Sequence, residues 1–205
     1  VLASGGGTNL QALIDAAGGD APFRVTCVVS NRPDAGALER ARRAGIPSHV
    51  LRHPLDPGEL LDALRDADLV VLAGYLKLVP SAVVARFRWR MINIHPALLP
   101  GFGGSGMYGL RVHAAVLASG ATITGATVHY VDEAFDRGPV IAQWPVPVRS
   151  GDTADALSGR VLAVEHRLLP AVVRELVRRG FPAGLRLHAS STGFTTSDSP
   201  SLDVR

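Results

Sequence analysis

Leu69-Val70-Val71-Leu72-Ala73 is apolar at every position, which suits a strand covered on both faces rather than one with a wet side. The stretches around it alternate in character. Strand-like runs at Val1–Ala3, Phe23–Ser30, Ser48–Leu51 and Met91–His95 are separated by helix-like segments at Asn9–Ala17, Gly36–Ala44, Glu59–Asp66 and Pro80–Arg88. Such alternation around a fully apolar strand predicts an α/β fold, a mostly parallel sheet wrapped by helices on both faces. The chain opens without methionine, directly in Val1-Leu2-Ala3, so the first strand reads as cut short.

The pattern changes after His95. A glycine-rich loop, Gly101–Gly109, leads to a helix over Arg111–Ser119, with Leu110, Ala114 and Leu117 at helical spacing. Strand-like segments follow at Ala121–Val131 and Val140–Val148, and the fold is expected to carry antiparallel strands in this C-terminal part. A last helix begins near Thr153, with Ser150, Asp152 or Thr153 as its cap and Leu157, Val161, Val164 and Leu168 as its apolar stripe. Pro170 should kink or split that helix, because its ring removes a backbone donor and crowds the carbonyl of His166. Ser190–Arg205, rich in Ser, Thr and Asp with few aliphatics, reads as a disordered tail.

With 205 residues, 47% of them hydrophobic and 19% charged, the chain can bury a substantial core as an ordinary soluble globular protein. The net charge of +3 is mild, the arginines are scattered, and aromatic residues make up only 5%, which argues against a nucleic-acid platform and for small anionic ligands. Cys27 is the single cysteine, so no intrachain disulfide can form, and its apolar setting in Val25-Thr-Cys-Val-Val29 suits a small core residue rather than a nucleophile. A cytoplasmic location fits. No apolar stretch reaches the roughly 18 residues that span a bilayer, and no signal-peptide pattern is visible. No His/Cys/Asp/Glu cluster has metal-ligand spacing.

Chemistry concentrates in a few places. In Asn93-Ile-His95-Pro-Ala-Leu-Leu-Pro100 the strand period puts Asn93 and His95 on one face, about 6.6 Å apart, with Ile92 and Ile94 on the other. As an isolated pair they could equally be structural, but ligands in open α/β sheets bind beyond the carboxyl ends of strands, where these residues fall. Ser4-Gly5-Gly6-Gly7-Thr8-Asn9 lies between the first strand and a helix whose apolar face is Leu10, Leu13 and Ile14. Its backbone N–H groups suit a phosphate. The turn lacks the lysine of a nucleotide-triphosphate loop and the third glycine of a dinucleotide fingerprint. In Asp132-Glu133-Ala-Phe-Asp136-Arg-Gly-Pro139 the ordinary reading is a solvated turn; the sharper one has Asp136 reaching His95 and raising its pKa. His129 reads as a satisfied core histidine, and Glu165, at the edge of the last helix's stripe, as a solvated or snorkelling carboxylate.

Four motifs in order, Leu2-Ala-Ser-Gly-Gly-Gly-Thr-Asn-Leu-Gln11, Leu72-Ala-Gly-Tyr-Leu-Lys-Leu-Val79, Asn93–Pro100 and Val128–Ile141, resemble the phosphoribosylglycinamide formyltransferases, from Val1 to about Gly180. The resemblance implies a Rossmann-like sheet and one formyltransferase domain over 1–180, with a phosphate-binding half (1–88), a catalytic and folate half (89–180) and a tail over 181–205. It implies Asn93, His95 and Asp136 as catalytic residues, supported by His129. Gly5, Gly6, Gly7, Thr8 and Asn9 would hold the substrate phosphate, and Glu165 would contact the substrate. Leu76, Lys77, Leu78 and Val79, with Asn93 and the loop before Asp136, would cradle the pterin. The implied cosubstrate is 10-formyltetrahydrofolate, with no metal; the implied partners are small molecules, not nucleic acid or membrane, with a homodimer left open. Family members commonly carry an arginine in the segment matching Leu55–Leu60 to help bind phosphate; this chain has none there, and Arg52 is the nearest substitute. A formyl-folate hydrolase, a sugar-nucleotide amine formyltransferase and a non-catalytic folate or phosphate-binding module would draw on the same residues.

Overall fold

The computed structural model describes residues 1–190 and 193–196. Strand β1 (Val28–Ser30) pairs in parallel with β2 (Ser48–Val50), and β3 (Val70–Leu72) in parallel with β4 (Met91–His95). The chain around Leu2 joins the two pairs, bridging in parallel to Val29 on one side and Leu72 on the other. Two longer strands, β5 (Ile123–Tyr130) and β6 (Val140–Pro147), continue the sheet beyond β4 in antiparallel fashion. The sheet is thus parallel in its N-terminal part and antiparallel in its C-terminal part.

Helices α1 (Thr8–Ala16), α2 (Gly36–Arg43), α3 (Pro57–Ala63), α4 (Ser81–Arg86), α5 (Leu110–Ala118) and α6 (Ala154–Arg178) cover both faces. Strand β4 records how they are shared out. Met91 packs with Leu60 of α3, Val83 of α4 and Phe87, the residue that ends α4. Its neighbours Ile92 and Ile94 pack with Leu157, Val161 and Leu168 of α6, Val116 of α5 and Leu13 of α1. Since successive side chains alternate, Asn93 and His95 share the Met91 side.

Several elements differ from the sequence-based expectation, each for a packing reason. The strand expected over Phe23–Ser30 is limited to Val28–Ser30, because Val28 and Val29 are buried whereas Arg24 and Thr26 are exposed. Helix α3 starts earlier than Glu59, where Asp56 caps it by accepting a hydrogen bond from the Gly58 N–H at 2.8 Å and Pro57 fits its first turn. The buried face of α5 is Val112, His113 and Val116; Leu110 is 48% exposed, so the spacing Leu110/Ala114/Leu117 marks the wrong side. Among the candidate caps of α6, Thr153 does the capping, its Oγ1 accepting from the Ala156 N–H at 3.2 Å.

Pro170 does not split α6, which runs on to Arg178. A proline in a helix interior costs roughly 3 kcal/mol. Leu168, Leu169, Val172 and Val173 flank it and are all buried, each contributing on the order of 1.5–3 kcal/mol, so packing holds the helix together. The tail expected to be structureless from Ser190 instead has strand β8 (Gly193–Thr196) paired antiparallel with β7 (Leu187–Ser190). Leu187, only 6% exposed, anchors β7 in the core. The remainder of that expectation, residues 191–192 and 197–205, lies outside the described residues.

Candidate active site

The register of β4 and β5 places Asn93 opposite His129 and His95 opposite Thr127, so four polar side chains share one face. The loop between β5 and β6 brings Asp136 onto them. Its Oδ1 lies 3.3 Å from Asn93 Nδ2 and 3.5 Å from His129 Nε2, and its Oδ2 lies 3.5 Å from His95 Nδ1. Asp136 has a φ of 56°, in the left-handed region that aspartate tolerates better than most residues.

The glycine-rich loop, which carried no role in the sequence, holds this group from the other side. His95 Nε2 donates to the Phe102 carbonyl at 2.8 Å, and the Gly104 N–H donates to Asp136 Oδ2 at 2.9 Å. A β-carbon on Gly103 would stand 2.5 Å from Leu99 Cδ2 and 3.1 Å from Asp136 Cβ, so a side chain there would press on the leucine tip and on Asp136 itself. Thr127 is the other residue missed. Fully buried, its Oγ1 donates to the Ala97 carbonyl at 2.6 Å and accepts from the Leu99 N–H at 3.1 Å and from Gln143 Nε2 at 3.0 Å, fixing the chain that leaves β4. Its place two residues from His129 on the same strand face was the available signal.

Hydrogen-bond chemistry fixes the tautomers. His129 Nδ1 sits 2.7 Å from the Tyr130 carbonyl, which only accepts, so Nδ1 carries the proton and Nε2 offers a lone pair to the Asn93 amide at 3.0 Å. Both hydrogens of that amide are therefore engaged, the longer contact being to Asp136. His95 is 3% exposed, and burial pushes its pKa down, outweighing the upward pull of the Asp136 charge and the Phe102 carbonyl. The expected upward pull of Asp136 on His95 is thus present across 3.5 Å, but the cover over the ring makes the net shift downward. For Asp136, burial pushes upward, but its contacts with His129, His95 and the Gly104 N–H outweigh it, leaving the carboxyl below its usual range.

At the other end of the site, Gly7 caps α1 in the left-handed conformation (φ 73°), and no side chain caps the helix. The first-turn N–H groups and the positive helix end are thus free of side-chain caps. A β-carbon on Gly7 would sit 2.7 Å from Ala37 Cα, so glycine also lets α2 approach. Asn9 Nδ2 donates to Glu165 Oε2 at 2.6 Å, and Asn9 Oδ1 is buried without a partner. Glu165 is 6% exposed rather than solvated, and burial raises its pKa against the opposing Asn9 bond.

Leu76 and Leu78 are 43% and 40% exposed, an apolar surface at the end of β3, and Lys77 is exposed between them. Val79 differs: it is 3% exposed and packed in the core, so its side chain is not available to a ligand. Ser4 Oγ accepts from the Leu76 N–H at 2.9 Å, tying the glycine turn to this segment. Among the described residues no group of His, Cys, Asp and Glu could hold a metal ion, and no helix is long and apolar enough to cross a membrane.

Comparison with known proteins identifies the family. Residues 1–173 match the family described as formyl transferase. The chain is 46% identical over 183 residues to the chloroplastic phosphoribosylglycinamide formyltransferase of Arabidopsis thaliana, covering 84% of this chain and 63% of that protein. It is 41% identical over 182 residues to the Escherichia coli phosphoribosylglycinamide formyltransferase, covering 84% of each. Glycinamide ribonucleotide transformylase 1 from Symbiobacterium toebii superposes with a TM-score of 0.82 at 39% identity, covering 96% of this chain and 92% of that one. The chain spans 59–63% of the length of its plant relatives. On these matches and on its fold, the chain belongs to the formyl transferase family.

Proposed function

We propose that this protein transfers the formyl group of 10-formyltetrahydrofolate to the glycyl amine of glycinamide ribonucleotide, a step of purine synthesis. The observation that carries the proposal is the convergence of Asn93, His95 and Asp136 within hydrogen-bond or ion-pair reach on one strand face. Binding alone does not call for an amide donor, an imidazole and a carboxylate so placed. The relatives bear names for this same reaction.

The chemistry follows from the residues. The amine nitrogen attacks the formyl carbon, the carbonyl oxygen becomes an alkoxide, and the amine must lose a proton while the folate nitrogen gains one. Asn93 turns an N–H from Asp136, its longer contact at 3.3 Å, to the alkoxide; one such donor is worth on the order of 3 kcal/mol. His95, neutral at rest, receives the amine proton at Nδ1 beside Asp136 and returns it to the leaving nitrogen, so the pair ends as it began. Asp136 stabilises the transient imidazolium. The uncapped N–H groups of α1 hold the acceptor phosphate, Glu165 contacts the acceptor, and Leu76 and Leu78 offer apolar surface to the pterin.

Product analysis by mass spectrometry tests the proposal. With donor and acceptor together, N-formylglycinamide ribonucleotide should form in step with deformylated folate; with the acceptor omitted, formate should not accumulate. Formate release independent of the amine would replace the transferase with a hydrolase.

A further inference from the structure

We propose that Arg40 supplies the guanidinium of the acceptor's phosphate subsite, the part for which Arg52 was the sequence-based candidate. The inference rests on the formyl-transfer reading for the nature of the phosphorylated ligand. Its starting point is the register of α2. Gly36 and Ala37 are the residues that lie against the glycine turn, since a β-carbon on Gly36 would stand 3.2 Å from Gly6 Cα and one on Gly7 would stand 2.7 Å from Ala37 Cα. Arg40 lies four and three residues further along, on the same helix face.

Its side chain comes back over the turn accordingly. Nε donates to the Gly6 carbonyl at 2.8 Å and Nη1 to Gln11 Oε1 at 3.1 Å, so the guanidinium spans the turn and the first turn of α1. A guanidinium has five N–H donors, and these bonds leave donors over. No carboxylate among the described residues pairs with it. Asp15, which lines the same open groove of about 690 Å³ between α1 and α6, is bonded to Gln11 Nε2 at 2.8 Å. His166 faces this groove, where burial and then the Arg40 charge hold its ring below the usual imidazole value against the opposing pull of Asp15. Arg52 is differently placed: its side chain is 87% exposed and its ionic partner is Glu59, 3.9 Å away. A phosphate received by the α1 N–H groups would meet a guanidinium already oriented by the loop, the arrangement that suits bidentate contact with phosphate oxygens.

The test compares Arg40→Gln, Arg40→Lys and Arg52→Gln, with glycinamide ribonucleotide and the same amine lacking its phosphate as acceptors. Arg40→Gln should raise the KM for the phosphorylated acceptor about 10- to 100-fold, the range of a charge-assisted hydrogen bond. The KM for the unphosphorylated amine and for the formyl-folate should stay within about twofold, and Arg40→Lys should recover only part of the loss. Arg52→Gln should behave as wild type. A rise equal for both acceptors, an unchanged KM, or the effect appearing in Arg52→Gln overturns the assignment. Should wild type formylate neither amine, the functional reading fails separately. Inorganic phosphate then still probes the subsite: it should raise the melting temperature of wild type and not of Arg40→Gln, and an equal rise in both would refute it.

Discussion

Asp136→Asn removes one charge and keeps the shape, so its cost can be worked from the site. The carboxylate stands 3.5 Å from His95 Nδ1. At an effective dielectric of about 20, a full charge pair at that distance attracts by roughly 5 kcal/mol. With the imidazolium partly formed in the transition state and an amide dipole remaining, about 3–4 kcal/mol is lost, or roughly 10²–10³-fold in turnover. Neither orientation of the new amide suits all its neighbours. With its oxygen toward the Gly104 N–H, its nitrogen confronts the Asn93 amide; reversed, it opposes Gly104 instead. The assay is the spectrophotometric transfer rate beside calorimetric binding of the phosphorylated acceptor. Turnover should fall by the stated factor and acceptor affinity by less than about threefold. The His95 ring, having lost the charge that raises its pKa, should titrate at still lower pH by NMR. A turnover loss below tenfold on a folded variant, or an upward shift of His95, would refute the reasoning.

Other perturbations follow from the same geometry. Glu165→Gln should stabilise the protein increasingly as pH rises from the ordinary carboxyl value of about 4.3 through the raised folded value, because that is the range in which the buried group must ionise; the melting temperature should rise by about 2–4 °C per kcal/mol relieved, while the acceptor KM increases. Thr127→Val keeps the volume but strands the Ala97 carbonyl, the Leu99 N–H and one Gln143 bond, and calorimetric unfolding should register a loss of roughly 2–4 kcal/mol. Replacing Leu76 and Leu78 together by Ser should raise the KM of the formyl-folate about tenfold with little change in the acceptor KM; a change confined to the acceptor would move the pterin elsewhere.

The parts legible in the sequence were those written in short-range period. The apolar Leu69–Ala73 run and the alternation around it gave a parallel sheet, and the two-residue period placed Asn93 and His95 on one face, as β4 has them. Long-range contact decided the rest. Whether Glu165 is wet or buried depends on Asn9, 156 residues away in the chain. The electrostatic state of His95 depends on how completely the 101–109 loop covers it, and the backbone groups of Phe102 and Gly104 that do so have no side-chain signature. Leu110, Ala114 and Leu117 fit a helical period, yet the neighbouring face, Val112 and Val116 with His113, is the one that packs. Arg40 illustrates the same limit: nothing local distinguishes it from Arg42 or Arg43, which pair with Glu39 on the surface, until α2 is laid against the glycine turn.

The most direct measurement follows folate deformylation and acceptor formylation together, in the wild type and in a variant with Asn93, His95 and Asp136 all replaced by Ala. Equal amounts of the two products in the wild type, and a rate lower by at least about 10³-fold in the variant with phosphorylated acceptor still bound, are expected. Transfer persisting near the wild-type rate without these side chains, or deformylation that leaves the amine unchanged, would contradict the account.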